Sequence, residues 1–270
     1  MSTQVLELIM CIIIYLIVFC FGMIIGSFLN VCIYRLPKNE SLIKRSSHCM
    51  TCGEKIRARD LVPIFSWLFL KGKCHSCGEK ISGRYPLVES LNALLYVWVF
   101  MQVDIAELVF DYASLANCII LCLYMSVLIV IAFIDYDTQE MHLSVLIAAA
   151  LLAIPSFFLT GEYGASLKER IIGALIISVP FLILGLITGG MGMGDVVLMA
   201  AGGLLLGTKA IVVAALIGIV LAAIVGVIIK KKSGESKMAF GPYLCIGLAI
   251  AATHGTKIAD WYINTFLTFE

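Results

Sequence analysis

Roughly eight stretches of this chain are too long and too apolar to be explained by a core buried in water, and they constrain everything else about its fold. They lie near residues 8–30, 86–102, 113–134, 143–160, 170–188, 195–207, 210–229 and 240–256. A membrane-spanning helix needs ~20 mostly apolar residues. Over 270 residues the chain is 61% hydrophobic, with a mean hydropathy of +1.03. The expectation is an all-α, polytopic integral membrane protein of about eight transmembrane helices. The sixth stretch is short enough to be a broken or half-inserted helix. The first has no basic residue ahead of it and runs past the length of a signal core, so it reads as a retained span.

Charge sets the expected orientation. Of the 19 lysines and arginines, 11 fall between Arg35 and Arg84, and Lys230, Lys231, Lys232 and Lys237 follow the seventh stretch. Basic loops stay cytoplasmic. The segment from Val103 to Tyr112 carries Asp104, Glu107 and Asp111 with no base, as an outer loop should. Eight spans then put the N-terminus outside and the 35–84 loop, the 135–142 loop and Gly189–Gly194 inside, with Lys168, Arg170 and Lys209 as outer-side exceptions. The expected division is a first transmembrane helix at 1–34, a cytoplasmic loop at 35–85 and a helical membrane domain at 86–270. The net charge of +1 gives no reason to expect nucleic acid. The partner expected for the basic loop is membrane lipid, through its anionic headgroups.

Ten cysteines divide by place. Cys11, Cys20, Cys32, Cys118, Cys122 and Cys245 lie in or beside apolar stretches, where cysteine packs as a small hydrophobe. The other four form "CMTC" (Cys49, Cys52) and "CHSC" (Cys74, Cys77), with 21 residues between the pairs. Two such pairs in a reducing compartment read as a tetrahedral four-thiolate zinc knuckle, and the alternative, two disulfides, conflicts with a cytoplasmic loop. Four cysteines leave no position for water, so the zinc is expected to be structural, with His48 and His75 as neighbours rather than ligands.

Acids at membrane depth are costly and call for a role. Asp135 and Asp137 stand in "FIDYDTQ" at the cytoplasmic end of the third stretch, and Asp195 follows the glycines of "GGMGMGD" at the start of the sixth. Two carboxylates brought together can share a proton, activate water and protonate a carbonyl, which is aspartic peptidase chemistry. Positions two apart on a helix point to nearly opposite sides, so only one of Asp135 and Asp137 can face Asp195. Gly189, Gly190, Gly192 and Gly194 strip side chains from the approach to Asp195. Three readings stay open on these residues: a peptidase, a small transporter using membrane carboxylates, and a zinc docking module on a helical anchor. No inverted repeat supports the transporter.

The residues resemble the type IV prepilin peptidases, membrane aspartic peptidases of the GxGD type. The resemblance rests on "GSFLNVCIYRLP" (Gly26–Pro37), both cysteine pairs, "DLVPIFSWLFLKGKCHSC" (Asp60–Cys77), "ISGRYPLVES" (Ile81–Ser90), "FIDYDTQ" (Phe133–Gln139), "GGMGMGDVVL" (Gly189–Leu198) and "AFGPYL" (Ala239–Leu244), in order. It implies Asp135 and Asp195 as the catalytic pair, supported by Asp137, Gly192 and Gly194. It implies a prepilin or pseudopilin precursor as partner, cut after a glycine at the cytoplasmic face of the bacterial inner membrane. Many members also methylate the new N-terminus, with S-adenosylmethionine as cofactor. For the basic leader, Glu89 is the foremost candidate partner, ahead of Glu40, Glu54, Asp60 and Glu79. The chain departs from the usual pattern at His142, where members carry proline, and at Val197, where lysine is common. The first change loosens the connection after the third stretch, and the second removes a cation near Asp195. Arg35, Arg84 and Tyr85 read as interfacial anchors.

Overall fold

The computed structural model describes residues 3–44, 46–103, 111–157, 165–233 and 238–267. Asp104, Glu107 and Lys237, used above to orient the chain, lie outside the described residues. Among the described residues the chain is helical, and its only strand-like pairings are two isolated bridges, His48 with Lys55 and Lys73 with Lys80. It packs as two units, Met1–Phe110 and Asp111–Glu270.

The first unit pairs α1 (Thr3–Arg35) with α3 (Arg84–Phe100). Gly22 and Gly26, one turn apart, let the two backbones touch: a Cβ on Gly22 would lie 2.6 Å from Ala93 Cα, and one on Gly26 2.7 Å from Glu89 Cα. Small residues at this spacing are how helices associate when lipid removes the hydrophobic drive. Asn92 Nδ2 donates to Gly22 O at 2.8 Å and Asn30 Nδ2 to Tyr85 O at 3.1 Å, tying the pair at both levels. The opposite face of α1 exposes Leu8, Ile12, Leu16, Phe21 and Ile24, a surface suited to lipid. The loop between the helices holds two 3-10 turns, Leu36–Lys38 and Ala58–Leu61, and a five-residue α2 (Phe65–Phe69). Arg35, expected as an interfacial anchor, is buried and folds back on this loop, donating to Ser41 O, Leu42 O and Ser46 O.

The second unit is built round α4 (Tyr112–Thr138), capped by Asp111, whose carboxylate accepts from the N–H groups of Ala113 and Ser114. The stretch expected as one span at 143–160 is instead α5 (Leu143–Leu151) followed by α6 (Ala153–Ser156). Pro155 is the cause: it lacks an N–H and its ring meets the carbonyl of residue 151, four positions back, where α5 ends. A capping box at Ser166 and Glu169 starts α7 (Leu167–Thr188).

The sixth and seventh expected spans form one continuous assignment, α8 (Met193–Ser233), broken at Gly207 by φ 77°, ψ −177°, a conformation open only to glycine. The chain reverses there. Gly202 packs on Leu248, Ala210 on Gly255 and Gly218 on Leu244, so 193–206 and 208–233 run in opposite directions beside α9 (Gly241–Tyr262). The open carbonyls at the end of 193–206 meet Arg170, which is 1% exposed. Its guanidinium donates to Leu204 O at 3.0 Å, Leu205 O at 3.1 Å, Ser156 O at 3.0 Å, Ser156 Oγ at 2.7 Å and Ala165 O at 3.0 Å.

Four helical stretches, Val5–Lys38, Tyr112–Thr138, Leu167–Thr188 and Met193–Lys232, are long and apolar enough to cross a bilayer. The remaining expected spans correspond to a helix of 17 residues (α3), the broken α5–α6, the second half of α8, and α9, which ends among His254, Lys257 and Asp260.

Candidate active site and metal-binding loop

Three helix ends meet in the second unit. Asp135 lies in the last turn of α4 and Asp195 in the first turn of α8, and the two are 5% and 7% exposed. Asp137, two residues along α4 and so about 200° around it, is exposed. The third end is that of α9, where Gly241 N donates to Asp135 Oδ2 at 2.9 Å. A side chain at 241 would ruin this contact, since a Cβ there would sit 2.6 Å from Asp135 Oδ2. Asp195 N is bonded to Gly192 O at 3.1 Å, which winds the glycine loop tightly into the helix. Cys245, one turn along α9 from Gly241, is buried. Asp195 Oδ1 is buried with no hydrogen-bond partner among the described residues. Gly192 and Gly194 flank this oxygen's helix without side chains, and a Cβ on Gly192 would stand 3.4 Å from Asp195 Oδ2.

His142 and Val197 lie near these ends. His142 starts α5 with its Nδ1 2.8 Å from Ser144 Oγ, and Val197 is 37% exposed.

The first unit carries the cysteine quartet. The four Sγ atoms of Cys49, Cys52, Cys74 and Cys77 lie within 4.8 Å of one another. Each pair sits in the same turn. Cys49 N bonds to Glu54 O and Gly53 N to Cys49 O, and Cys74 N bonds to Glu79 O and Gly78 N to Cys74 O, with Gly53 and Gly78 both at φ 73°. Tetrahedral ligands about 2.3 Å from one ion stand about 3.8 Å apart, and Cys49 Sγ and Cys77 Sγ are 3.9 Å apart. The sulfurs therefore fit a four-thiolate metal. The N–H groups of Cys52 and Thr51 bring the Cys49 thiol down to about 6. Cys77, although the Glu79 N–H favours its thiolate, is pushed up to about 12 by desolvation and its sibling sulfurs. His75 Nε2 faces Arg57 at 3.2 Å and His48 Nδ1 faces Ser46 O at 3.2 Å.

Glu89, expected to face a basic leader, is buried and accepts from Ile64 N at 2.7 Å. Ile64 sits at φ 61°, ψ −54°, in a tight turn closed by Phe65 N to Pro63 O at 2.6 Å. A β-branched residue in that region is strained. Glu89 therefore anchors a strained backbone, a role that "VES" alone does not announce. It also borders a cleft of about 240 Å³ walled by Tyr34, Trp67 and Tyr85. Of the residues now seen at the aspartates, Gly241 fell in the "AFGPYL" motif, whereas Met141 carried no sequence signal.

Residues 20–103 match the Bacterial Peptidase A24 N-terminal domain and residues 122–227 the Type IV leader peptidase family. The chain is 34% identical to the Prepilin leader peptidase/N-methyltransferase of Aeromonas salmonicida, over 93% of this chain and 94% of that protein. It is 34% identical to the Type 4 prepilin-like proteins leader peptide-processing enzyme of Escherichia coli, over 84% and 88%. With the Prepilin leader peptidase/N-methyltransferase of Bacillus subtilis it shares 30% over 93% and 98%. No solved structure matches.

Proposed function

We infer what this chain does from one premise: it belongs to the type IV leader peptidase family. It is a membrane aspartic peptidase that removes the leader from type IV prepilin-like precursors. The observation that carries the chemistry is that Asp135 and Asp195 are both buried at helix ends bridged by Met141, which lies against Gly194 beside Asp195 and against Gly241, the donor to Asp135. The pair shares a proton. One carboxylate takes a proton from water as its oxygen attacks the scissile carbonyl, and the other gives its proton to that carbonyl oxygen. Collapse of the tetrahedral intermediate breaks the C–N bond as the leaving amine is protonated. Gly192 and Gly194 admit the substrate strand, and Asp137 stands outside the pair. The basic loop and the lysines closing α8 favour a cytoplasmic active site in the bacterial inner membrane, with the N-terminus outside. A transporter has no observation in its favour.

Co-expression of the full chain with a prepilin or pseudopilin precursor tests this. Mass spectrometry should find the leader removed by the wild type and retained with Asp135→Asn or Asp195→Asn. Processing by both variants eliminates the reading.

The metal we assign to the cysteine quartet is zinc, in a structural role. The relatives' names also support N-methylation of the new terminus. Bound S-adenosylmethionine supplies an activated methyl group, and the aromatic walls and Glu89 of the first-unit cleft suit its adenine ring and sulfonium charge. Calorimetric binding of S-adenosylmethionine to the full chain, weakened by Trp67→Ala, is the outcome that reading requires.

A further inference from the structure

One side chain stands among the glycines at the aspartate pair. Beyond α4, Gln139 turns the chain in the left-handed region (φ 56°), its N–H on Asp135 O at 2.8 Å. Thr138 Oγ1 donates to Glu140 O at 3.0 Å and tightens the same turn. The turn sends the half-buried Met141 back over the helix end. Its thioether arm spans the gap between two positions that have no side chain of their own. A Cβ on Gly194 would lie 2.8 Å from Met141 Cβ and 3.0 Å from its Cγ and Sδ. A Cβ on Gly241 would strike Met141 Cε as well as Asp135 Oδ2. Met141 thus fills the space beside Asp135 that Gly194 and Gly241 leave clear.

We propose that Met141 is a specificity-determining residue: it walls the subsite for a residue flanking the scissile bond and confines that residue to a small side chain. The inference rests on the peptidase reading above. A strand reaching Asp135 and Asp195 meets Met141 where its side chain covers Gly194 and Gly241. A substrate residue with a bulky side chain competes with the thioether for the same volume. Methionine suits this wall because its unbranched arm conforms to irregular space. One methylene more or less in such a pocket changes discrimination by about 10–200-fold.

The test uses the full chain and precursors carrying glycine, alanine or valine at each of the two residues flanking the scissile bond. Met141→Ala should lower discrimination against valine by about 10-fold or more at one of those residues. Met141→Leu should restore the wild-type ratio. Unchanged discrimination at both residues overturns the proposal. So does an equal gain on every precursor, which marks a gate rather than a wall. Met141→Phe, which fills more of the space, should sharpen discrimination and covers the case in which the alanine variant fails to fold. Asp195→Asn on the same panel separates the two claims: residual cleavage sinks the peptidase assignment, whereas an inactive Asp195→Asn with an unaltered Met141→Ala ratio sinks the wall alone.

Discussion

The bond from Gly241 N to Asp135 Oδ2 is the residue-scale contact on which hydrolysis turns most sharply. Replacing Gly241 by alanine forces the start of α9 or the carboxyl to move, since the new Cβ would lie 2.6 Å from the acceptor. A displacement near 1 Å costs about 100-fold in rate, so Gly241→Ala should lower kcat on a precursor by about that factor while substrate binding changes little. A kcat within about three-fold of wild type would show that the contact does not position the acid. The two acids themselves were legible in the sequence, because carboxylates flanking apolar stretches are costly to keep without a role. Gly241 and Met141 were not. Their roles arise where the starts of α8 and α9 and the end of α4 come together, a meeting that hydropathy and spacing do not encode. Glu89 was singled out as a partner for a basic leader, and its contact with a backbone N–H 25 residues away was hidden for a similar reason.

At the scale of elements, punctuation residues decided where helices stop. Pro155 split a stretch whose hydropathy is continuous, and Gly207 reversed one that reads as two spans with a linker. The start of α4 offers a measurable case. The Ser114 hydroxyl, then the Ala113 and Ser114 N–H groups, hold the Asp111 carboxyl below the usual range. A carboxyl whose value is depressed in the folded state contributes stability above its unfolded value of about 3.9, and that contribution is lost as pH falls through the folded value. Thermal unfolding in detergent should therefore show Asp111→Ala melting below wild type at pH 7, with the two converging as pH falls through the depressed folded value. A gap that persists at low pH would mean the cap acts through something other than its charge.

The whole molecule combines apolar helices suited to lipid with a loop whose four cysteines fit a metal. Chelation should leave the helices intact by circular dichroism and open the 35–84 loop to protease, because the loop buries few of its apolar groups and the helices satisfy their own backbones. Global loss of helix on chelation would contradict this division. Protons compete with the metal for sulfur, because cysteine binds a metal as its thiolate and has to be deprotonated first. Metal retention therefore falls as pH is lowered. Arg170 carries a consequence for biogenesis. Its guanidinium stays charged at any physiological pH, yet two of its carbonyl partners, Leu204 and Leu205, are synthesised more than thirty residues later. The Ser156 and Ala165 oxygens precede it in the chain and can hold the guanidinium first, and the carbonyls closing 193–206 complete its shell, so the last contacts of α7 are made only when the segment bearing Asp195 exists.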